Sequence, residues 1–466
     1  IMLLPVYQIR FSIFGLPFTL LEAMILILFF VWLVKSWQAK ELTLFNRRLN
    51  NINPYPLSRE IILLLVIALI STVVAGFSNS ALGILKAYFI EPIMFFVVFV
   101  NVFSAQGGPT LGWKLENRNK IFWALSISAL VVSLVAIYQR ITGNLMPAEW
   151  INSGRVTGVF NYPNALGLYL GPIVLVLSGW FLKIIRNSKS EILNPKQYQN
   201  TKYKITNIFT ACYALCVLSC AMLAIYFAKS EGALIGVAAA LFIFGLMYNK
   251  RSRRAVVGIA IIVVLIFSFY AHFRDFAVKK ILLRDLDGQI RRRMWAETWE
   301  MLKKDGVIFG VGLANYQASV APHHQEGIFV RDYNDPDFQR KVVFNEEYKK
   351  QAWQPLEIYL YPHNIFLNFW VELGLAGMLL FVWIIIKLQV TSYKLQVTNS
   401  KNREIILGLF GAMIVITVHG LVDAPYFKND LAILFWVLAG MVGIMNLENT
   451  SQINKSITNN TNKWRK

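Results

Sequence analysis

Titratable and cationic side chains gather at four places in an otherwise apolar chain, three of them close to where a long apolar run begins or ends. The first is Pro362-His363-Asn364, which closes a polar stretch and is followed at once by the apolar run from Ile365. An imidazole titrates near neutral pH when unperturbed, so His363 at such a rim suits proton transfer with a soluble substrate. A helix cap or a satisfied interfacial histidine would place the same residue there. The second place is Ser153-Gly154-Arg155, running on through Pro163-Asn164. Pro163 fits a first helical turn, where its missing N–H would have been unpaired. A helix start beside an arginine is a seat for an anion, unless the arginine anchors to lipid phosphate. The third is Arg291-Arg292-Arg293, whose guanidiniums could hold a substrate phosphate or headgroups. The fourth is His419 and Asp423, four apart. On one helical face Asp423 would orient or charge-stabilise His419, or the two would form a structural pair lining a polar cavity.

These residues need elements to position them, and composition names the class. The chain has 466 residues, 56% hydrophobic and 14% aromatic, with a mean hydropathy of +0.49. Its repeated apolar runs approach the roughly 20 residues that span a bilayer, which predicts an all-α polytopic membrane protein. Eleven spans are expected, at about 18–34, 61–77, 82–103, 120–139, 164–185, 205–227, 232–248, 255–270, 364–387, 404–422 and 428–446. The chain is apolar from Ile1, as if it began inside or just after a further membrane helix.

The net charge of +20 is read as topology rather than as nucleic-acid binding. Alternate connections hold 26 Lys and Arg against 4 in the others, and the alternation never breaks. The basic set is therefore expected in the cytoplasm with the C-terminus, and the four constellations on the extracytoplasmic side. Residues 1–270 and 363–447 form the two helical parts on this reading. Segment 271–362 is a long extracytoplasmic loop with 14 basic and 13 acidic residues, too long for a passive linker. Within it, 290–304 reads as an amphipathic helix with Trp295, Trp299 and Leu302 on one face. Residues 448–466, rich in Asn, Lys and Thr, are expected to be a disordered tail.

Other candidates carry less chemistry. Lys86 and Glu91 are ionisable within an apolar span and are expected to pair or line a lipid-phosphate groove. Glu372 lies a little over two turns below His363 and shares that exposure to cost. His323 and His324 read as solvated loop residues. Asp285-x-Asp287 and Asp335-x-Asp337 superficially look like metal-holding acidic pairs, a pattern common by chance in an acidic loop. Cys212, Cys216 and Cys220 form one helical stripe without a fourth ligand and read as packing residues. No metal and no cofactor is expected.

At these residues the sequence resembles the O-antigen ligase and O-antigen polymerase superfamily of bacterial membrane glycosyltransferases. The ligase signature of His, then Asn, Ser or Gln, nine residues, Gly, two residues, and Gly, Thr or Tyr is filled by His363-Asn364, Gly374 and Gly377. Similar blocks are Gly154-Arg155-Val-Thr-Gly158 through Asn164, Arg291 with Trp295 and Gly310-Val-Gly312, and His419 with Asp423. Many relatives carry Ser-Arg-Gly where this chain has Ser230-Glu231-Gly232, with Lys229 the available substitute for the missing cation.

The resemblance implies a C-type glycosyltransferase-like bundle of about twelve helices in the bacterial inner membrane. It implies an inverting, metal-independent transfer from a polyprenyl-diphosphate-linked glycan donor to a lipid or saccharide acceptor, among membrane lipids and without nucleic acid. His363 would be catalytic, and Arg155, Arg291 and Arg293 would bind the donor diphosphate. Asn164, Asn364, Glu372, His419 and Asp423 would support them. A repeat-unit polymerase or a protein O-oligosaccharyltransferase would share these blocks. A non-catalytic flippase would explain the helices but not the gathering of polar residues at helix ends.

Overall fold

A computed structural model describes residues 1–13, 16–38, 56–103, 119–192, 201–333 and 335–463. Ten described helices are long and apolar enough to cross a membrane. An eleventh, Ser58–Val74, has 17 residues, at the short limit of a bilayer span. Together they occupy the eleven expected places, so the chain is an all-α, multi-pass membrane protein. Parts of the basic connections, at 39–55, 104–118 and 193–200, lie outside the described residues.

The centre of the bundle is the Arg403–His419 helix, packed on Pro163–Ile192 and Glu231–Tyr248. Small residues set how closely these helices meet. A Cβ on Gly179 would collide with the Glu404 carbonyl, and one on Gly408 would lie 2.6 Å from the Leu175 carbonyl. Such contacts let backbones approach, the main source of packing energy where lipid is as apolar as the side chains. The Lys250–Phe269 helix, by contrast, buries no residue and packs mainly on the Glu231–Tyr248 helix before it.

The two chain ends carry structure of their own. Residues Leu4–Gln8 form a 3-10 turn and Arg10–Ile13 pairs antiparallel with Leu16–Thr19, ahead of the membrane helix that starts at Leu20. The last helix continues from Asn429 to Lys463, through the expected disordered tail. Once a helix is nucleated, each added residue gains a hydrogen bond without the nucleation cost, which is why a polar composition need not end it.

Lys86 pairs with Glu22 of the first helix at 3.0 Å rather than with Glu91, and Asn429 donates to the other Glu22 oxygen. Lys86 sits in a π-helical segment, Leu85–Ile90, which rotates it relative to Glu91. The half-buried ion pair is thus long-range, between elements that no local pattern connects.

Segment 271–362 folds into helices Ala271–Ile281 and Leu286–Met301, shorter helices, and a two-stranded ribbon of Gly327–Phe329 with Trp353–Pro355. Leu302 and Met301 are buried, whereas Trp299 is exposed, so the expected Trp295–Trp299–Leu302 face is split.

The Ile365–Thr398 helix is broken at Gly374, which takes φ +74° and ψ 179°. The turn after Gly306 fills the break. Val311 N–H donates to the Val371 carbonyl at 2.9 Å and Leu375 N–H to the Ile308 carbonyl at 3.0 Å. Trp370 Nε1 adds a bond to the Val307 carbonyl at 2.7 Å. Backbone groups freed by the interruption are satisfied by the turn, as burial requires. Gly310 faces this same contact, where a Cβ would collide with the Val371 carbonyl. The nine-residue spacing in the signature therefore has a structural meaning: it sets the distance from the helix start to its break.

Candidate active site

The site is assembled at the end of the bundle where the Ile365–Thr398 helix starts and the Arg403–His419 helix stops. Asn364 caps the former: its Oδ1 accepts from Phe366 and Leu367 N–H at 3.0 and 3.1 Å. Such a cap satisfies donors that a helix start leaves open. Its Nδ2 donates to the Leu421 carbonyl at 3.0 Å, and Ile365 N–H donates to the Gly420 carbonyl at 2.8 Å. The helix start and the 420–424 turn are thereby fixed to each other.

This linkage brings His363 to Asp423. His363 Nδ1 lies 3.6 Å from Asp423 Oδ1, buried and just beyond hydrogen-bond length. The imidazole is 21% exposed while Nδ1 is buried, so its accessible part is the rest of the ring. Tyr359 and Tyr361 flank it at 5.2 and 4.7 Å between ring centroids. His363 has φ +43°, a left-handed conformation that costs a non-glycine residue on the order of 1–3 kcal/mol and clusters at functional sites.

His419 takes a different role from the one expected. The helix ends at His419, so Asp423 does not sit one turn further along it. His419 is buried, its Nδ1 has no hydrogen bond, and Gly232 presses on its ring, where a Cβ would lie 2.5 Å from Cδ2. The carboxylate serves His363 instead, a pairing that crosses 60 residues and has no periodic signature.

Asp423 is also the end of a chain of bonds from Arg155. Arg155 Nη2 donates to Asn164 Oδ1 at 2.9 Å, and Asn164 Nδ2 donates to Asp423 Oδ2 at 3.2 Å. Arg155 Nε donates to the Ala228 carbonyl at 3.0 Å, at the carbonyl end of the Thr201–Ala228 helix, where a cation complements the helix dipole. Its Nη1 makes no hydrogen bond among the described residues. Burial lowers the Arg155 pKa; Asp287 and Glu231 oppose that, and the charge of Arg291 adds to it. An incoming anion would relieve this crowding of positive charge.

Arg291 arrives through Trp295, one turn along the same helix face. Trp295 Nε1 donates to the Pro362 carbonyl at 2.8 Å, tying the Leu286–Met301 helix to the peptide before His363. Arg291 makes no side-chain hydrogen bond among the described residues. Arg293 is committed elsewhere: it pairs with Glu297 at 2.9 Å, and Glu297 also meets His324 at 3.1 Å and Gln325 N–H at 3.0 Å. Arg293 and His324 therefore hold the loop together, and His324 is not the solvated residue expected.

The remaining candidates also find places. Glu372 lies at the helix break and accepts from Ala314 N–H at 2.8 Å, fixing the loop rather than touching His363. Lys229 donates to the Ser153 carbonyl at 3.0 Å, and Glu231 pairs with Lys280 at 2.6 Å. Lys280 and Lys341 also engage Asp285 and Asp335, which accounts for those acidic residues. Two tyrosines escaped the sequence reading. Tyr361 donates to Asp423 at 3.5 Å, and its hydroxyl lies 3.4 Å from that of Tyr162. Aromatic residues at a helix rim look like an interfacial belt, so nothing distinguished these two.

Burial on its own would raise the Asp423 carboxyl, but His363, His419 and the Ala424 N–H outweigh it and hold the group well below the usual carboxylate range. A carboxyl depressed in the native state stabilises the fold above its unfolded pKa, and that contribution is lost as pH falls through the native value. Stability should thus drop below about pH 4. In Asp423→Asn that acid-dependent loss should shrink, as read from unfolding midpoints across pH; an unchanged acid limb would contradict the assignment.

No curated protein matches the chain. Residues 214–382 match the family model described as O-antigen ligase, a stretch that contains Arg291, the Gly310 turn, His363 and Gly374. The match covers less than half of the chain, and over that stretch this multi-pass membrane protein is similar to the O-antigen ligase family, which supports glycan transfer at the level of the family.

Proposed function

We propose that this protein transfers a glycan from a polyprenyl-diphosphate carrier to an acceptor hydroxyl on the extracytoplasmic face of the bacterial inner membrane, with its C-terminus in the cytoplasm. The observation that carries the reading is the single connected group of His363, Asp423, Asn164 and Arg155, with Arg291 alongside. His363 takes the acceptor proton as the acceptor oxygen bonds to the anomeric carbon. The bond from that carbon to the phosphate oxygen breaks, its electron pair leaves with the lipid diphosphate, and the configuration inverts. Asp423 stabilises the imidazolium through the Nδ1 side, and the 3.6 Å gap is the kind that closes in a reacting complex. Arg155 and Arg291 stabilise the charge that grows on the departing diphosphate.

Purified protein incubated with a polyprenyl-diphosphate glycan and candidate acceptors tests the reading. A shifted acceptor marks ligase chemistry, chain lengthening marks a polymerase, and no transfer to any acceptor removes the proposal. Arg155→Ala and Arg291→Ala should each weaken donor binding about 10–100-fold, the worth of charge-assisted hydrogen bonds. Unchanged donor affinity in both would remove the diphosphate assignment.

A further inference from the structure

A cavity of about 630 Å³ opens beside this site, within the range of small-ligand pockets. Tyr162 and Tyr361 line it, so it abuts the group around Asp423 without including His363, Arg155 or Arg291. The rest of its wall comes from distant parts of the chain, among them Arg10, Gln317, Asn368 and Lys428.

Two buried atoms of this wall, Lys428 Nζ and Asn368 Oδ1, have no hydrogen-bond partner. Lys428 Nζ lies over three rings, 4.9 Å from the centroid of Tyr7, 4.5 Å from Phe160 and 5.0 Å from Tyr162. The rings favour a cation, but its three N–H donors still lack an oxygen. Burial lowers the Lys428 pKa, against the pull of Asp430 and Asp423. Among the cavity's charged residues, Arg10 and Lys428 stand against Glu372, which is already engaged by Ala314. Tyrosine faces and hydroxyls suit the flat apolar sides and hydroxyl rims of sugar rings.

We propose that this cavity is the acceptor subsite and takes a saccharide bearing a carboxylate or phosphate on Lys428, with its reacting hydroxyl directed past Tyr361 toward His363. The word acceptor rests on the proposed transfer reaction; the affinity for an anionic saccharide does not.

Calorimetry on the full chain in nanodiscs tests it, with disaccharides of glucose that are neutral, carry one glucuronate, or carry one phosphate. One or both acidic probes should bind at least tenfold more tightly than the neutral one, and the two arms tell carboxylate from phosphate. Lys428→Met should erase that preference. Gln317→Glu, which adds negative charge at the wall without disturbing the Lys428 cage, should weaken acidic binding at least several-fold more than neutral binding. Equal affinity for all three probes, no binding, or a preference that survives in folded Lys428→Met overturns the proposal. If Lys428→Met does not fold, unchanged acidic binding in Gln317→Glu overturns it instead. No transfer to any acceptor by the wild-type protein, alongside a retained acidic preference, would sink the transfer reading and leave the anionic-saccharide site standing.

Discussion

His363→Ala should abolish glycan transfer, with turnover falling about 10²–10⁴-fold and donor binding nearly unchanged. The size of the effect follows from the proton. An acceptor hydroxyl cannot attack efficiently while it keeps its hydrogen, and His363 is the imidazole at this helix rim paired with a carboxylate at 3.6 Å. Asp423 cannot replace it, since the carboxyl sits behind the ring, 1% exposed. The donor contacts of Arg155 and Arg291 do not run through His363, so affinity for the lipid diphosphate should survive. A purified variant with normal turnover would end the general-base assignment.

The second large effect is on the fold. Gly374→Ala should destabilise the protein by about 2–6 kcal/mol, from two sources. The glycine-only backbone conformation costs roughly 1–3 kcal/mol in any other residue, and overpacking adds about 1–3 kcal/mol. The second source is real here because the new Cβ would collide with the Ile308 carbonyl and lie 2.7 Å from the Phe309 carbonyl carbon. Against a total stability of about 5–15 kcal/mol, that is a large fraction. The unfolding midpoint in detergent should fall, and the Val311 and Leu375 amides should lose protection from hydrogen exchange together. Wild-type stability in Gly374→Ala would mean that the turn does not depend on the break.

Hydropathy made the helices legible, because a span of about 20 apolar residues has few other uses. The ends of those spans located His363, Arg155 and Asp423, and the basic start of the amphipathic helix located Arg291; all four gather at one end of the bundle. Partnership was not legible. The four-residue spacing of His419 and Asp423 suggested a helical pair, but the helix stops at His419 and the carboxylate turns to His363. Lys86 and Glu91 looked like partners because they are neighbours in sequence, whereas Glu22 is nearer in space. Arg293 was indistinguishable from Arg291 by type; what separates them is that Glu297 lies one turn beyond Arg293 and claims it. The break at Gly374 was hidden as well, since an apolar run reads as one helix whether or not a distant turn is threaded into it. Hydrogen bonds between remote segments carry all of these differences, and no local pattern records them.

The pairing of the 306–311 turn with the opened helix at Gly374 also limits how the protein can be recombined. Loops are usually the parts exchanged between relatives to alter what an enzyme accepts. Here the turn supplies main-chain bonds to a helix of the bundle, and the helix supplies bonds to the turn. Neither is a complete element without the other. The smallest transplantable unit of this protein therefore reaches from about Gly306 past Leu375, carrying His363 with it, so a change of loop is also a change of reaction centre.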